Sequence, residues 1–144
     1  MEQPEYEPRY LAGIVLFNRR EFFDCHEVLE DLWNECSDRD RRFYQGLLQA
    51  AVGLYHFGNG NLRGALKLFH SGKKYMEQYP SPYLGLDRAA FWEAMARCYA
   101  PVFAEADLLR RDLRPDDALI PTVTLDPAPA DWPDPAAFLE HDDQ

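Results

Sequence analysis

The stretch Phe43-Tyr44-Gln45-Gly46-Leu47-Leu48-Gln49-Ala50-Ala51-Val52-Gly53-Leu54-Tyr55-His56 decides the fold. Advancing about 100° per residue puts Phe43, Leu47, Ala50 and Leu54 on one apolar stripe. Tyr44, Leu48, Val52 and Tyr55 form a second, broad one. A helix that is apolar nearly all round is a buried central helix, so other helices must surround it. Its few polar groups, Gln45, Gln49 and His56, fall together beside Val52. Buried amides and imidazoles without partners cost roughly 1–3 kcal/mol each. The spacing therefore predicts a neighbouring element that supplies polar partners.

The preceding segment, Phe22-Phe23-Asp24-Cys25-His26-Glu27-Val28-Leu29-Glu30-Asp31-Leu32-Trp33, is the obvious source. His26, Glu30 and Trp33 are four and three residues apart and share one helix face. An imidazole, a carboxylate and an indole on one stripe make a poor core and a reasonable site. The short link Ser37 to Asp40 makes the two helices antiparallel neighbours. The expectation is a buried polar pocket lined by His26, Glu30, Gln45, Gln49 and His56, with Trp33 as a wall.

Working outward, helical periodicity runs to about residue 112. It predicts helices over 7–18, 21–36, 39–58, 61–78 and 87–112, with Asn61 and Asp87 as N-caps. Pro101 should kink or split the last one. Beyond it, Pro115, Pro121, Pro127, Pro129, Pro133 and Pro135 exclude regular helix, apart from a short final turn around 136–140. Leu119, Ile120, Val123, Leu125 and Trp132 are too apolar for a solvated tail. The fold class is all-α: a compact bundle of about five helices, residues 1–112, with a Pro-rich extended arm, residues 113–144. The arm would lie on the bundle or on a neighbouring subunit, the latter making a homo-oligomer.

The bulk chemistry excludes several functions. The formal net charge is −10, with no basic stripe to set against nucleic acid phosphates. No apolar run approaches the roughly 20 residues that span a bilayer, and the acidic N-terminus is no signal peptide. These features predict a cytoplasmic protein without nucleic acid or membrane partners. High acidity with only three lysines, Lys67, Lys73 and Lys74, also fits a salt-rich cytoplasm. A melting temperature that rises toward molar KCl would support that habitat. Cys25, Cys36 and Cys98 show no CxxC spacing, and Cys25 and Cys98 read as buried small hydrophobes.

The motif residues carry a resemblance. His26-x-x-x-Glu30-x-x-Trp33 follows Phe17-Asn18 and Glu21-Phe22-Phe23. It precedes Phe43-Tyr44-Gln45-Gly46-Leu47-Leu48-Gln49-Ala50-Ala51, then Gly60-Asn61 with Gly64-Ala65. Over roughly residues 8–78 this resembles domain-of-unknown-function family 309. The resemblance implies a compact helical bundle and a metal-binding role for His26 and Glu30. It implies no particular activity.

Spacing alone also allows a metal site. His and Glu at i, i+4 can ligate one ion. His26, Glu30 and His56 are then the candidate ligands and a divalent metal ion the candidate cofactor. Trp33, Gln45 and Gln49 are candidate ligand-binding or orienting groups. The alternative is a His–Glu hydrogen bond that only fixes helix packing, in a non-catalytic interaction or scaffold domain. A true site requires His26, Glu30 and His56 to converge on a solvent-reachable cavity; Glu30 pointing into bulk solvent would sink it. Two familiar motifs do not apply. Glu30 stands where a zinc peptidase needs its second His, and no Glu-x-x-His pair supplies a di-iron site.

The remaining candidates read as structural. His70 sits with the three lysines on a cationic flank, and His141 lies in the tail. Arg41 and Arg42 are expected to pair with Glu35 or Asp38. Trp92, Met95, Tyr99 and Phe103 have core spacing.

Overall fold

A computed structural model of the chain describes residues 5–139. Five helices form: α1 Pro8–Asn18, α2 Phe22–Glu35, α3 Arg41–Gly58, α4 Leu62–Met76 and α5 Arg88–Phe103. Two short 3-10 turns follow, at Asp117–Leu119 and Pro135–Phe138. Among the described residues no strand forms, only an isolated bridge between Tyr83 and Leu86. The all-α bundle read from the periodicity is the observed fold.

Local chemistry sets the helix ends. Pro8 opens α1, where a missing N–H costs nothing. The Asn61 side chain accepts from Gly64 N and that of Asp87 from Ala90 N, each at 3.0 Å, capping α4 and α5 as expected. Arg20 stops α1 in a left-handed conformation, φ 67°.

α3 is central, packed between α2 and α4. Its inner face buries Phe43, Leu47, Ala50, Leu54 and Phe57 against α1, α4 and α5. Burial of each large apolar side chain is worth about 1.5–3 kcal/mol. α3 and α4 approach most closely at Gly46 and Gly72. A methyl at Gly46 would strike Met76 Cγ and stand 2.9 Å from Gly72 O.

Three expectations are corrected. The fifth helix ends at Phe103 rather than 112. Pro101 lies in its last turn, cannot donate to the carbonyl four residues back, and lets the helix run only two residues further. Glu105, Arg110 and Asp112 then bond to one another along the irregular segment. Phe103 is 46% exposed rather than core; it stacks on His70 at 6.1 Å. Arg41 and Arg42 do not pair with Glu35 or Asp38. They lie over the rings of Trp33 and Tyr75, while Glu35 is held by Arg9 at 3.1 Å.

The Pro-rich arm lies on its own chain. Asn18 acts as a substitute strand: its Nδ2 donates to Val123 O at 2.9 Å and its Oδ1 accepts from Val123 N at 2.7 Å. The Arg20 guanidinium donates to the carbonyls of Ile120 and Pro121. Ile120, Val123 and Leu125 are buried. Cys25 and Cys98 are buried free thiols, and burial pushes the Cys98 thiol up to about 11, so neither is poised as a nucleophile.

Candidate functional site

The motif residues lie along one flank of α2. Phe22, Cys25, Val28, Leu29 and Leu32 take the buried face. His26, Glu30 and Trp33 fall on the adjoining flank, with Phe23 at its outer edge. α3 turns its half-open stripe toward the same side: Arg41, Gln45, Leu48, Gln49, Val52 and His56 are each intermediate in burial, and Tyr55 is exposed. The flank of α4 bearing Leu68, Ser71 and Tyr75 closes the far side. Contacts fix the directions. Phe23 packs on Tyr55 at 5.6 Å and Trp33 under Arg41 at 4.1 Å, so α2 runs antiparallel to α3. Ser71 meets Gln49, and Tyr75 meets Arg42, so α4 does too.

The sequence reading expects these residues on one face, and they lie on adjoining flanks of α2 and α3. It misjudges their burial. No polar or charged residue is fully buried among those described. The expected buried polar pocket is an open, three-helix face. The reason is geometric: a helix with neighbours on two sides and behind still keeps one free stripe, and the polar side chains of α3 occupy it.

His26, Gln49 and His56 each face a local polar neighbour. His26 Nε2 stands 3.6 Å from Glu30 Oε2, with side-chain exposures of 25% and 48%. Gln49 Oε1 accepts from Ser71 Oγ at 2.5 Å, not from His26 or Glu30. His56 Nδ1 faces Asn61 Nδ2 at 3.4 Å. Because Asn61 Oδ1 is committed to Gly64 N, the atom facing His56 is the amide donor. Trp33 Nε1 is shielded and has no hydrogen-bond partner.

One cavity lies on this face. Phe22, Phe23, His26, Val52, Tyr55 and His56 line about 160 Å³ between α2 and the end of α3. His26 and His56 do converge there, as expected of a site. Glu30, Trp33, Gln45 and Gln49 do not line it. Among the described residues, no three His, Cys, Asp or Glu side chains are grouped closely enough to hold one metal ion. The expected set of His26, Glu30 and His56 is therefore split into a His26–Glu30 pair and a separately committed His56. His70 is exposed on α4, and His141 lies outside the described residues.

Two features escaped the sequence reading. Phe23 and Tyr55, 51% and 40% exposed, form an aromatic rim to the cavity. Phe23 lies three residues before His26, so its place on the motif flank was available from spacing. Ser71, the partner Gln49 needed, lies in a helix whose pairing face the sequence could not assign.

The stretch from α1 into α4 has relatives. Residues 10–68 match the model of the family Domain of unknown function (DUF309). The resemblance read from the motif is shown over those residues. An uncharacterised Bacillus subtilis (strain 168) protein, YpuF, is 34% identical over 101 residues, 67% of this chain and 58% of YpuF. An uncharacterised Aquifex aeolicus (strain VF5) protein is 26% identical over 72 residues, 49% of this chain and 22% of that protein. The chain thus spans little more than half of one relative and about a fifth of the other. The function of the family is not established.

Proposed function

We propose that this chain is a non-catalytic interaction domain whose open α2–α3–α4 face docks a polypeptide partner. The observation that carries this reading is the cavity. At about 160 Å³ it is well below the roughly 300–1,000 Å³ of a small-molecule site, and Phe22, Phe23, Val52 and Tyr55 line it together with the rings of His26 and His56. It has room for one apolar side chain of a partner. Of the polar groups beside it, Gln49 is bonded to Ser71 and His56 faces Asn61. Exposed Phe23 and Tyr55 supply aromatic contact area, and exposed Glu27 and Glu30 supply charge that suits a basic partner.

The net charge of −10 disfavours nucleic acid as that partner. No helix among the described residues is long and apolar enough to cross a membrane. Three free thiols are consistent with a cytoplasmic, reducing setting.

Photo-crosslinking tests the reading. A benzophenone-bearing amino acid is placed at position 55 on the face or at position 109, where Leu109 is 72% exposed off it. Irradiation is done in cells that make the protein and on the purified chain. A discrete adduct from position 55 alone, diminished by Glu27→Lys, is expected. No adduct, or equal labelling from both positions, overturns the reading.

One rival keeps a specific observation, the His26–Glu30 pair, which leaves coordination sites open for a divalent ion. Plasma elemental analysis of untagged protein beside a His26→Ala/Glu30→Gln variant decides it. The docking reading expects no stoichiometric metal in either. One equivalent of metal in the wild type, lost in the variant, would replace it.

A further inference from the structure

The docking face is chemically two-sided. On its outer side α2 presents Glu27 and Glu30 and α4 presents Lys67 and Lys74, all exposed; Glu35 is held by Arg9 of α1, and Lys73 by Glu77 beside α5. Glu27 and Lys67 are both exposed, and neither forms an ion pair within its own chain among the described residues. An acidic wall and a basic wall on either side of one floor make the face complementary to itself.

We propose that the partner is a second copy of this chain, docked about a two-fold axis running along α3. This rests on the face being a docking surface. A two-fold along α3 lays α2 of one copy on α4 of the other, acid on base, twice per dimer. A two-fold across α3 lays α2 on α2 and α4 on α4, like charge on like, which is costly. Charge therefore selects the first axis.

The register agrees. α2 and α4 both run antiparallel to α3. Phe23 against Tyr55 and Asn61 against His56 put both helix starts beside the end of α3. After the two-fold, α2 and the facing α4 run parallel from the same level. Glu27 is the sixth residue of α2 and Lys67 the sixth of α4, so they meet. Half-buried Leu48 and Val52 lie on the axis between them.

The area suffices. An 18-residue helix is about 27 Å long, and three helices packed 8–10 Å apart are about 28 Å across. The face offers roughly 750 Å², close to the ~800 Å² per partner of a standard interface. In the C-terminal arm Ile120, Val123 and Leu125 are spent on its own bundle, while Leu119 and Trp132, expected to be covered, stay 41% and 43% exposed.

Sedimentation equilibrium of the purified full chain tests the proposal. The wild type should reach twice its 16.7 kDa mass at micromolar concentration. Glu27→Lys and Lys67→Glu should each weaken the dimer at least about fivefold, because each places two like-charge contacts at the interface. The exchanged variant Glu27→Lys/Lys67→Glu should recover wild-type affinity. Both positions are on the surface, so circular dichroism should show unchanged folding. A monomer at all concentrations, or a dimer indifferent to these changes, overturns the proposal. A position-55 adduct to a different protein would then leave the docking reading standing without self-association; no adduct would remove both.

Discussion

The two sides of α3 are built by different rules. Its inner side is a contact between backbones: Gly46 and Gly72 let α3 and α4 touch, and Leu47, Leu54 and Phe57 fill the space beyond. Its outer side is a half-open stripe of Gln45, Gln49, Val52 and His56, where polar groups are held by single side-chain partners. In the sequence the outer side already stands apart by its polar line of Gln45, Gln49 and His56. What also separates them is tolerance: shape limits the inner side, and chemistry limits the outer one.

The largest effect should come from Gly46→Ala. Alanine gains about 1 kcal/mol of helix propensity over glycine. The added methyl meets a backbone oxygen at 2.9 Å as well as the Met76 side chain, and only the side chain can turn away. Overpacking of this kind costs roughly 1–3 kcal/mol or more, so net destabilisation by about 1–3 kcal/mol is expected in denaturant unfolding. Stabilisation would mean that the helices separate freely and that the inner side is no tighter than the outer.

The fold was legible because its signals are local. The apolar breadth of 43–56, the caps Asn61 and Asp87, and the proline run each report the chain's immediate conformation. The fifth helix was read too long because periodicity in 104–112 resembled helix, while Pro101 removed the hydrogen bond needed to carry it on. The candidate face was legible in which residues share a helix flank and not in its depth. Helix spacing placed His26, Glu30 and Trp33 on one flank and Gln45, Gln49 and His56 on another. Whether a stripe is roofed depends on elements far along the chain. Here the arm is tied to α1, through bonds such as Asn18 to Val123 that no spacing rule reveals.

Gln49→Ala should cost less, about 0.5–1.5 kcal/mol, by leaving the Ser71 hydroxyl without its acceptor. Gln49→Ala/Ser71→Ala should recover part of that loss, since removing both partners leaves no orphan. A chemical-denaturation cycle on the four proteins measures the coupling. Zero coupling would mean that water replaces the bond freely and that the α4 wall is not pinned.

Gly58→Ala tests the comparison in the opposite direction. Gly58 is the last residue of α3, and a methyl there meets nothing within 4 Å. Reduced freedom of the unfolded chain should stabilise the protein by about 0.4–1 kcal/mol, seen as a raised melting temperature. The same substitution, twelve residues along one helix from Gly46, should thus change sign. Destabilisation at both positions would erase the distinction between the sides.

The smallest effect is expected from Phe23→Ser. Phe23 is half exposed, and its main neighbours are the rings of Tyr55 and His26 at 5.6 and 5.7 Å, themselves on the open face. Stacking at such an exposed site is worth about 0.5–1.5 kcal/mol at most. Serine returns some of that by removing apolar surface from water, so a change within about 0.5 kcal/mol is expected. If the loss instead approaches that of a buried aromatic, roughly 3–5 kcal/mol, Phe23 belongs to the core. The outer side of α3 would then be a seam of the fold, and neither docking nor self-association would have a free surface to use. Near-neutral stability together with a weakened dimer would show the opposite: an aromatic kept on the surface for contact with another molecule.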